Sequence, residues 1–271
     1  MTSWTAYQRE RVEGREKDVP WFVGDKTAAY DFAKSVGVEI PLIYRLFDKA
    51  EDFRDEDFPD NFVVKPKGLH STQGVMVLKR IGPSRYFDFM KKREWSEQEI
   101  RTAQSEWFEK NRFKGNYKLI VEEKLIDDNG DDKIPFDYKL YMFRGVNKLI
   151  IQYDRNSIPP TGSWFGDDWS PFDTDLNFDS EWKVLQRGEP KKPACAYALL
   201  EAARKISVAL PTPFVSVDMY ATTRGPVLGE LTLAPGGPYY GRQYKFREHF
   251  DQELGAAWDV ALQQLGRPIG V

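Results

Sequence analysis

Two carboxylates in the stretch 214–235, FVSVDMYATTRGPVLGELTLAP, stand where they could share a cation. Apolar and β-branched residues alternate with polar ones on both sides of Thr223-Arg224-Gly225, which predicts two strands folded back around a glycine turn. With Arg224 as the pivot, Asp218 opposes Glu230 and Ser216 opposes Thr232 on one face. Cross-strand Cβ atoms lie only about 5 Å apart, so directly opposed like charges destabilise a sheet. A bound cation relieves the repulsion, and a hard one such as Mg²⁺ takes oxygen ligands, often one or two carboxylates plus substrate phosphates. An antiparallel pair with one wet face carries acids equally well, so the hairpin alone leaves both readings open.

Upstream, the strand-like NFVVK (61–65) and VMVLK (75–79) flank PKGLHSTQG. This connector holds Gly68, Ser71, Thr72 and Gly74, with Lys65 and Lys67 at its entry. Such a composition can fold backbone N–H groups and hydroxyls over phosphates. It lacks the GKS/T ending of a Walker loop, and small polar residues also suit any hairpin turn. In KLIVEEK (118–124), Leu119, Val121 and Glu123 face one way, Ile120 and Glu122 the other. The turn 127–132, DDNGDD, lacks the ligand ladder and terminal Glu of a calcium loop and reads as solvated. DYKLYMFR then sets Asp137, Lys139 and Tyr141 on one face and pairs through Gly145-Val146-Asn147 with KLIIQY, beyond which stands Arg155. Cations on strands more often mark exposed edges than anion sites.

The elements that must position these residues alternate strand and helix. Residues 1–20 are polar, an arm or short helix lying on the body. Asp25 caps a helix over 26–36 with Ala29, Tyr30, Ala33 and Val36 inward and Gly37 as its stop, and VEIPLIYRLF follows as a strand. Ser84 is expected to cap a short helix through Arg93, and Ser96 with Glu99 forms a capping box for a helix through Asn111. The stretch 156–190 lacks periodicity and is rich in Asp, Pro and Trp; with Trp164, Phe165, Trp169 and Phe172 to bury, it is expected to be a packed cover. Pro193 opens a helix to about 208 in which Cys195 is an apolar filler, and 250–265 is a closing helix stopped by Gly266 and Pro268. Between them PGGPYYGRQYKF offers basic and aromatic residues to a substrate.

The bulk numbers narrow the function. A net charge of −3 supplies no global field for nucleic acid or an anionic membrane. One cysteine and two histidines, His70 and His249, exclude a disulfide framework and a Cys-cluster zinc site and supply transition-metal and Ser-His-Asp sites poorly. The N-terminus lacks signal-peptide order and no run has the length of a membrane span, so the chain reads as cytoplasmic. Its oligomeric state is left open.

The order of these signals, with DKTAAYDFAKSVG, FVVKPKGLHSTQGVMVLK, LIVEEKLIDDNG, PFDYKLYMFRGVNKLIIQYDR, PFVSVDMY and GELTLAPGG, resembles the ATP-grasp superfamily and within it the teichuronopeptide-biosynthesis (TupA-like) branch. The resemblance runs from about Trp21 to Gly255. It implies an α+β fold in which two lobes with antiparallel sheets clamp ATP and Mg²⁺. The expected parts are a 1–60 N-terminal arm and helix-strand region, a small lobe over 61–122 and a large lobe over 123–271. By the same resemblance, Lys65 and Lys139 contact phosphates under the loop bearing Gly68, Ser71, Thr72 and Gly74. Glu122, Glu123, Lys124 and Leu125 form the adenine-reading segment, through the peptide groups of Glu123 to Leu125. Asp137 meets the ribose, Asp218, Glu230 and Thr232 hold Mg²⁺, and Arg155 sits near the γ-phosphate.

The implied activity is ATP-dependent carboxylate–amine ligation through an acyl phosphate on a small-molecule, peptide or glycan substrate. A kinase acting on a hydroxyl and a non-catalytic glycan- or peptide-binding module are the alternatives. The chain departs from the superfamily at Ser216, where many members carry Arg, at Thr232, where many carry Asn, and in its PKGLHSTQG loop. Arg155 or Arg242 is the candidate to replace the missing cation.

Overall fold

The structure is a computed structural model that describes residues 2–54, 58–69, 72–110 and 117–270. In chain order the helix α1 (Trp4–Val12) precedes α2 (Lys26–Ser35), β1 (Ile43–Phe47), β2 (Asn61–Pro66), β3 (Met76–Gly82), β4 (Arg85–Asp88), β5 (Arg93–Ser96), α3 (Glu97–Lys110) and β6 (Leu119–Glu123). These six strands form one antiparallel sheet in the order β1-β6-β2-β3-β4-β5. Then follow β7 (Asp137–Phe143), β8 (Val146–Asp154), β9 (Thr161–Phe165), α4 (Thr174–Asn177), β10 (Phe178–Asp179), β11 (Gln186–Arg187), α5 (Ala196–Ala209), β12 (Val215–Thr222), β13 (Gly225–Thr232), α6 (Gly236–Tyr240), β14 (Lys245–Phe246) and α7 (Glu248–Gln264). The second sheet runs β11-β9-β8-β7-β12-β13, antiparallel except for β11 on β9, while β10 pairs with β14. No described helix is long and apolar enough to cross a membrane.

Local chemistry fixes the helices as read. The Asp25 carboxylate accepts from the N–H groups of Thr27 and Ala28, and Gly37 leaves α2 at φ +72°. Ser96 and Glu99 exchange hydrogen bonds at the start of α3, 2.7 Å from Ser96 N–H and 3.2 Å from Glu99 N–H.

Two expectations need correction. Residues 84–93 form no helix: β4 and β5 are a hairpin. Burial alternates along RYFD, with Tyr86 and Asp88 buried, and the Asp88 carboxylate accepts from Met90 N–H at 2.8 Å within the turn. A period of two, not a cap, decides that stretch. The cover over 156–190 is partly sheet: β9 lies beside β8 and drives Trp164 and Phe165 into the cores on opposite faces. Of the two forms expected for the N-terminal segment, an arm or a short helix lying on the body, the structure has the short helix. Trp4, Tyr7, Gln8 and Arg11 of α1 are buried, and Tyr7 stacks on Trp258 of α7 at 5.1 Å.

Arg11 explains why α1 belongs to the second sheet. Its guanidinium donates to the carbonyls of Phe214 (3.0 Å) and Leu233 (2.8 Å), which bracket β12 and β13, and to Thr212 Oγ1 (3.0 Å). It pairs with Glu16 at 2.6 Å and lies 4.4 Å from the centre of the Trp258 ring. Every donor of a fully buried cation is thereby aimed at an acceptor. Arg11→Ala should lower the free energy of unfolding by about 3–5 kcal/mol, read from urea denaturation, because Glu16 and two carbonyls lose their partner. Arg11→Lys should recover only a minor part, since one ammonium cannot span the same acceptors.

Candidate active site

The two sheets face each other across a cleft lined by residues of both. On the first wall, Lys65 leaves β2 beside Glu122 of β6. The Lys65 ammonium lies 2.5 Å from Glu122 Oε1 and donates to the Tyr30 hydroxyl at 2.7 Å, and Tyr30 donates to Glu122 Oε2 at 3.1 Å. All three are buried. Burial and then the Glu122 charge push the Tyr30 phenol well up, so it stays protonated and can close this triangle. Sequence reading placed Tyr30 on the core face of α2, correctly, and missed its hydroxyl; nothing in an apolar stripe marks such a contact.

The loop beyond Lys65 is tied down from α2. Lys67 pairs with Asp25 at 2.9 Å, and the buried Lys26 ammonium donates to the carbonyl of Leu69 at 2.7 Å. Lys26 lines the cleft and is a second residue the sequence reading passed over, taken only as the start of a helix. Burial pushes its pKa down, with Lys65 adding to the effect, against the pull of Glu230, Glu122 and Asp25. Gly74 sits at φ +70°, where a Cβ would stand 2.6 Å from the Pro66 ring, and its carbonyl accepts from Gln104 at 2.8 Å. Thr72 lines the cleft, Gly68 is exposed, and Ser71 lies outside the described residues.

On the second wall, register does the positioning. Ser216 pairs with Thr232 and Asp218 with Glu230, as expected, and on the other side of β12 Asp218 meets Lys139 and Tyr220 meets Asp137. The turn, however, is tighter than a pivot on Arg224: Thr222 pairs with Gly225. An extra residue, Gly229, bulges from β13 between the pairs Met219–Leu228 and Asp218–Glu230 and restores the opposition of the two acids.

Lys139 contacts Asp218 and lies 3.2 Å from Asp137; Arg155 donates to Asp137 at 2.8 Å, and Ser216 to Asp218 at 2.9 Å. Burial pushes the Asp218 carboxyl up to about 7, against the pull of Lys139 and with the push of Asp137 and Glu230. Burial acts on Asp137 in the same sense, but Lys139 and Arg155 outweigh it and hold that carboxyl below its ordinary value.

Three carboxylates thus face two cations on this wall, and Glu230 has neither ion pair nor hydrogen bond to a described residue. The donor set of Asp218, Glu230 and Thr232 is all oxygen, which fits Mg²⁺. Among the described residues no three His, Cys, Asp or Glu side chains converge as metal ligands; Asp218 and Glu230 would supply two carboxylates to such an ion.

Between the walls runs the segment after β6. Glu123 donates its N–H to Leu42 at 2.8 Å, and its carboxylate takes Arg224 of the hairpin turn at 2.6 Å. Lys124 is held by Asp132 at 2.8 Å. Leu125 lines the cleft, and its N–H donates to no described residue. Of the expected site residues, Lys65, Thr72, Glu122, Glu123, Lys124 and Leu125 thus meet Asp137, Lys139, Arg155, Asp218 and Glu230 around one cleft. Thr232 lies beyond Glu230 opposite Ser216, whose side chain is buried. Arg242 is exposed beside the Tyr240 ring and does not line the cleft, so among the two candidates only Arg155 stands near the acids.

Two antiparallel sheets closing on a cleft in this topology define the ATP-grasp fold. D-alanine–D-alanine ligase from Bacillus anthracis superposes with a TM-score of 0.53 at 17% identity over 90% of this chain and 69% of its own. The enzyme of the same name from Helicobacter pylori gives 0.50 at 15% over 95% and 66%, and L-amino acid ligase from Bacillus licheniformis 0.50 at 13% over 86% and 49%. The chain therefore spans about half to two thirds of the length of these structures. No curated protein sequence matches it. Residues 5–259 match the profile of the TupA-like ATPgrasp family, and the chain belongs to that family.

The Asp218 environment has a sign that can be measured. Its folded pKa, about 7, stands above the ordinary 3.8, so the folded state binds the extra proton between those values. The destabilising contribution is full above pH 7 and fades as pH falls toward 4. Without metal or nucleotide, Asp218→Asn should therefore raise the melting temperature at pH 8 and lose that advantage progressively as pH falls from 7 toward 4.

Proposed function

We propose that the chain is an ATP-dependent carboxylate–amine ligase that forms an amide through an acyl phosphate and releases ADP and phosphate. The observation that carries this reading is the convergence of Lys65 and Lys139, from opposite sheets, on one cleft beside the acid pair Asp218–Glu230. That arrangement suits binding and neutralising a polyphosphate, which is most of what phosphoryl transfer asks of a protein. It also needs no side-chain nucleophile. His249 is exposed at Asn177, away from the cleft. The ligases that share the fold agree with this reading by name.

In this account Lys65, Lys139 and Lys26 hold phosphates, and the loop with Gly68, Ser71, Thr72 and Gly74 covers them. Leu125 N–H and the carbonyl of Glu123 meet the adenine edge, with Glu122 keeping Lys65 in place and Lys124 closing the segment. Asp137, steadied by Lys139 and Arg155, faces the ribose. Asp218, Glu230 and Thr232 would hold Mg²⁺, which supplies charge neutralisation and orientation of the β- and γ-phosphates. Arg155 stabilises charge at the transferred phosphoryl group in the absence of an Arg at 216. The acceptor is an amine of a small molecule, peptide or glycan precursor, in the cytoplasm where ATP is supplied.

Mg·ATP should raise the melting temperature by an amount that grows with ligand concentration, about 2.7 kcal/mol of stabilisation at a hundredfold excess over Kd. Asp218→Asn should remove most of that shift. With a panel of carboxylates and amines, mass analysis should find a condensed product, and free phosphate only when both substrates are present. A phosphorylated product without condensation would make the enzyme a kinase instead, and no nucleotide-dependent shift at millimolar concentration would remove the ATP site altogether.

A further inference from the structure

Tyr220 lines the cleft, on the same face of β12 as Asp218 and directly opposite Asp137. Its hydroxyl has no hydrogen bond to any described residue, although it is only partly exposed. The charged groups that act on it come from both walls: Asp137, Arg155 and Lys139 from the second sheet, and Lys65 from the first. Three of those four are cations. Asp137, directly opposite, acts most strongly of the four, yet its carboxylate is taken by Arg155 and Lys139 and accepts nothing from the phenol; an O–H left without a protein acceptor beside three cations is placed to donate to an anionic oxygen that those cations also attract.

Gly229 supplies an independent sign that the ring position is built. Its φ does not lie in the left-handed region, so the backbone there does not call for glycine. A Cβ at this position would instead stand 2.7 Å from Cε2 of Tyr220 and 3.3 Å from the Asp218 carbonyl. The bulge that brings Glu230 opposite Asp218 is thus also the gap that admits the Tyr220 ring. One residue without a side chain serves both the acid pair and the phenol.

We propose that Tyr220 is a nucleotide-binding residue whose hydroxyl donates to a phosphate oxygen of the bound nucleotide, with Gly229 setting the ring that presents it. The proposal rests on the ATP reading of the cleft. It makes the phenol a phosphate sensor between Lys65 and Lys139, separate from the acids that hold the metal. Its contribution belongs to ATP and ADP and not to the nucleoside.

The test is calorimetric titration of the full chain with Mg·ATP, Mg·ADP and adenosine. Tyr220→Phe keeps the ring and removes the donor; it should weaken ATP and ADP by about tenfold or more and leave adenosine within about twofold. Gly229→Ala should weaken ATP in the wild-type background and add nothing in Tyr220→Ala, where the ring it displaces is gone. Equal weakening of all three ligands by Tyr220→Phe, or no weakening of any, overturns the proposal. An additive effect of Gly229→Ala in Tyr220→Ala overturns the role given to the glycine. If the wild-type chain binds none of the nucleotides, the ATP reading fails together with it, whereas loss of binding in Lys139→Ala but not in Tyr220→Phe sinks this proposal alone.

Discussion

Two carboxylates held face to face on one side of a sheet, Asp218 buried and Glu230 half-buried, are an electrostatic cost that the rest of the structure is built to contain. Asp218 and Glu230 cannot turn away, because the pleat fixes their side and the register fixes their opposition. Lys139 arrives from β7 by the same register, and Arg155 and Asp137 extend the cluster. The sum remains short of positive charge, and Glu230 remains unpaired among the described residues. A divalent cation carried in with phosphates balances such a surface, which is why the likeness to ATP-grasp enzymes and the charge of the site lead to one reading.

Containment also explains the covering elements. The face that carries the acids continues into an aromatic core of Trp4, Tyr141, Phe214 and Trp258, so α1 and α7 seal one end while the other stays open as the cleft. The first sheet answers with Lys65, whose ammonium is neutralised by Glu122 and steadied by Tyr30. Helix α2 packs against the second sheet yet reaches the first through Asp25, Lys26 and Tyr30. Lys65 and Lys139, the two cleft lysines of the proposal, are each held by carboxylates, so the charge they would lend to an anionic ligand is already oriented.

Much of this was legible in the sequence because the chemistry lies on strands. Alternation placed Asp137, Lys139 and Tyr141 on one face, and the hairpin pattern brought Asp218 to Glu230. That register was reached through a turn one residue too long, compensated by a bulge that alternation cannot reveal; only a glycine in mid-strand hinted at it. The hairpin over β4 and β5 was hidden by its shortness, since four residues of alternation compete poorly with a serine that resembles a cap. Strand β9 was hidden by surrounding Asp and Pro. Lys26 and Tyr30 were invisible as site residues because their contacts join segments far apart in the chain, a relation no local pattern encodes.

The central claim is that Asp218 and Glu230 form a metal site completed by nucleotide phosphates. Electron paramagnetic resonance of Mn²⁺, titrated with and without a non-hydrolysable ATP analogue, tests it directly. The account predicts weak Mn²⁺ binding by the protein alone, much tighter binding with the analogue, and loss of that tightening in Glu230→Gln. Tightening that survives in Glu230→Gln, or Mn²⁺ binding that the analogue does not change, would contradict it.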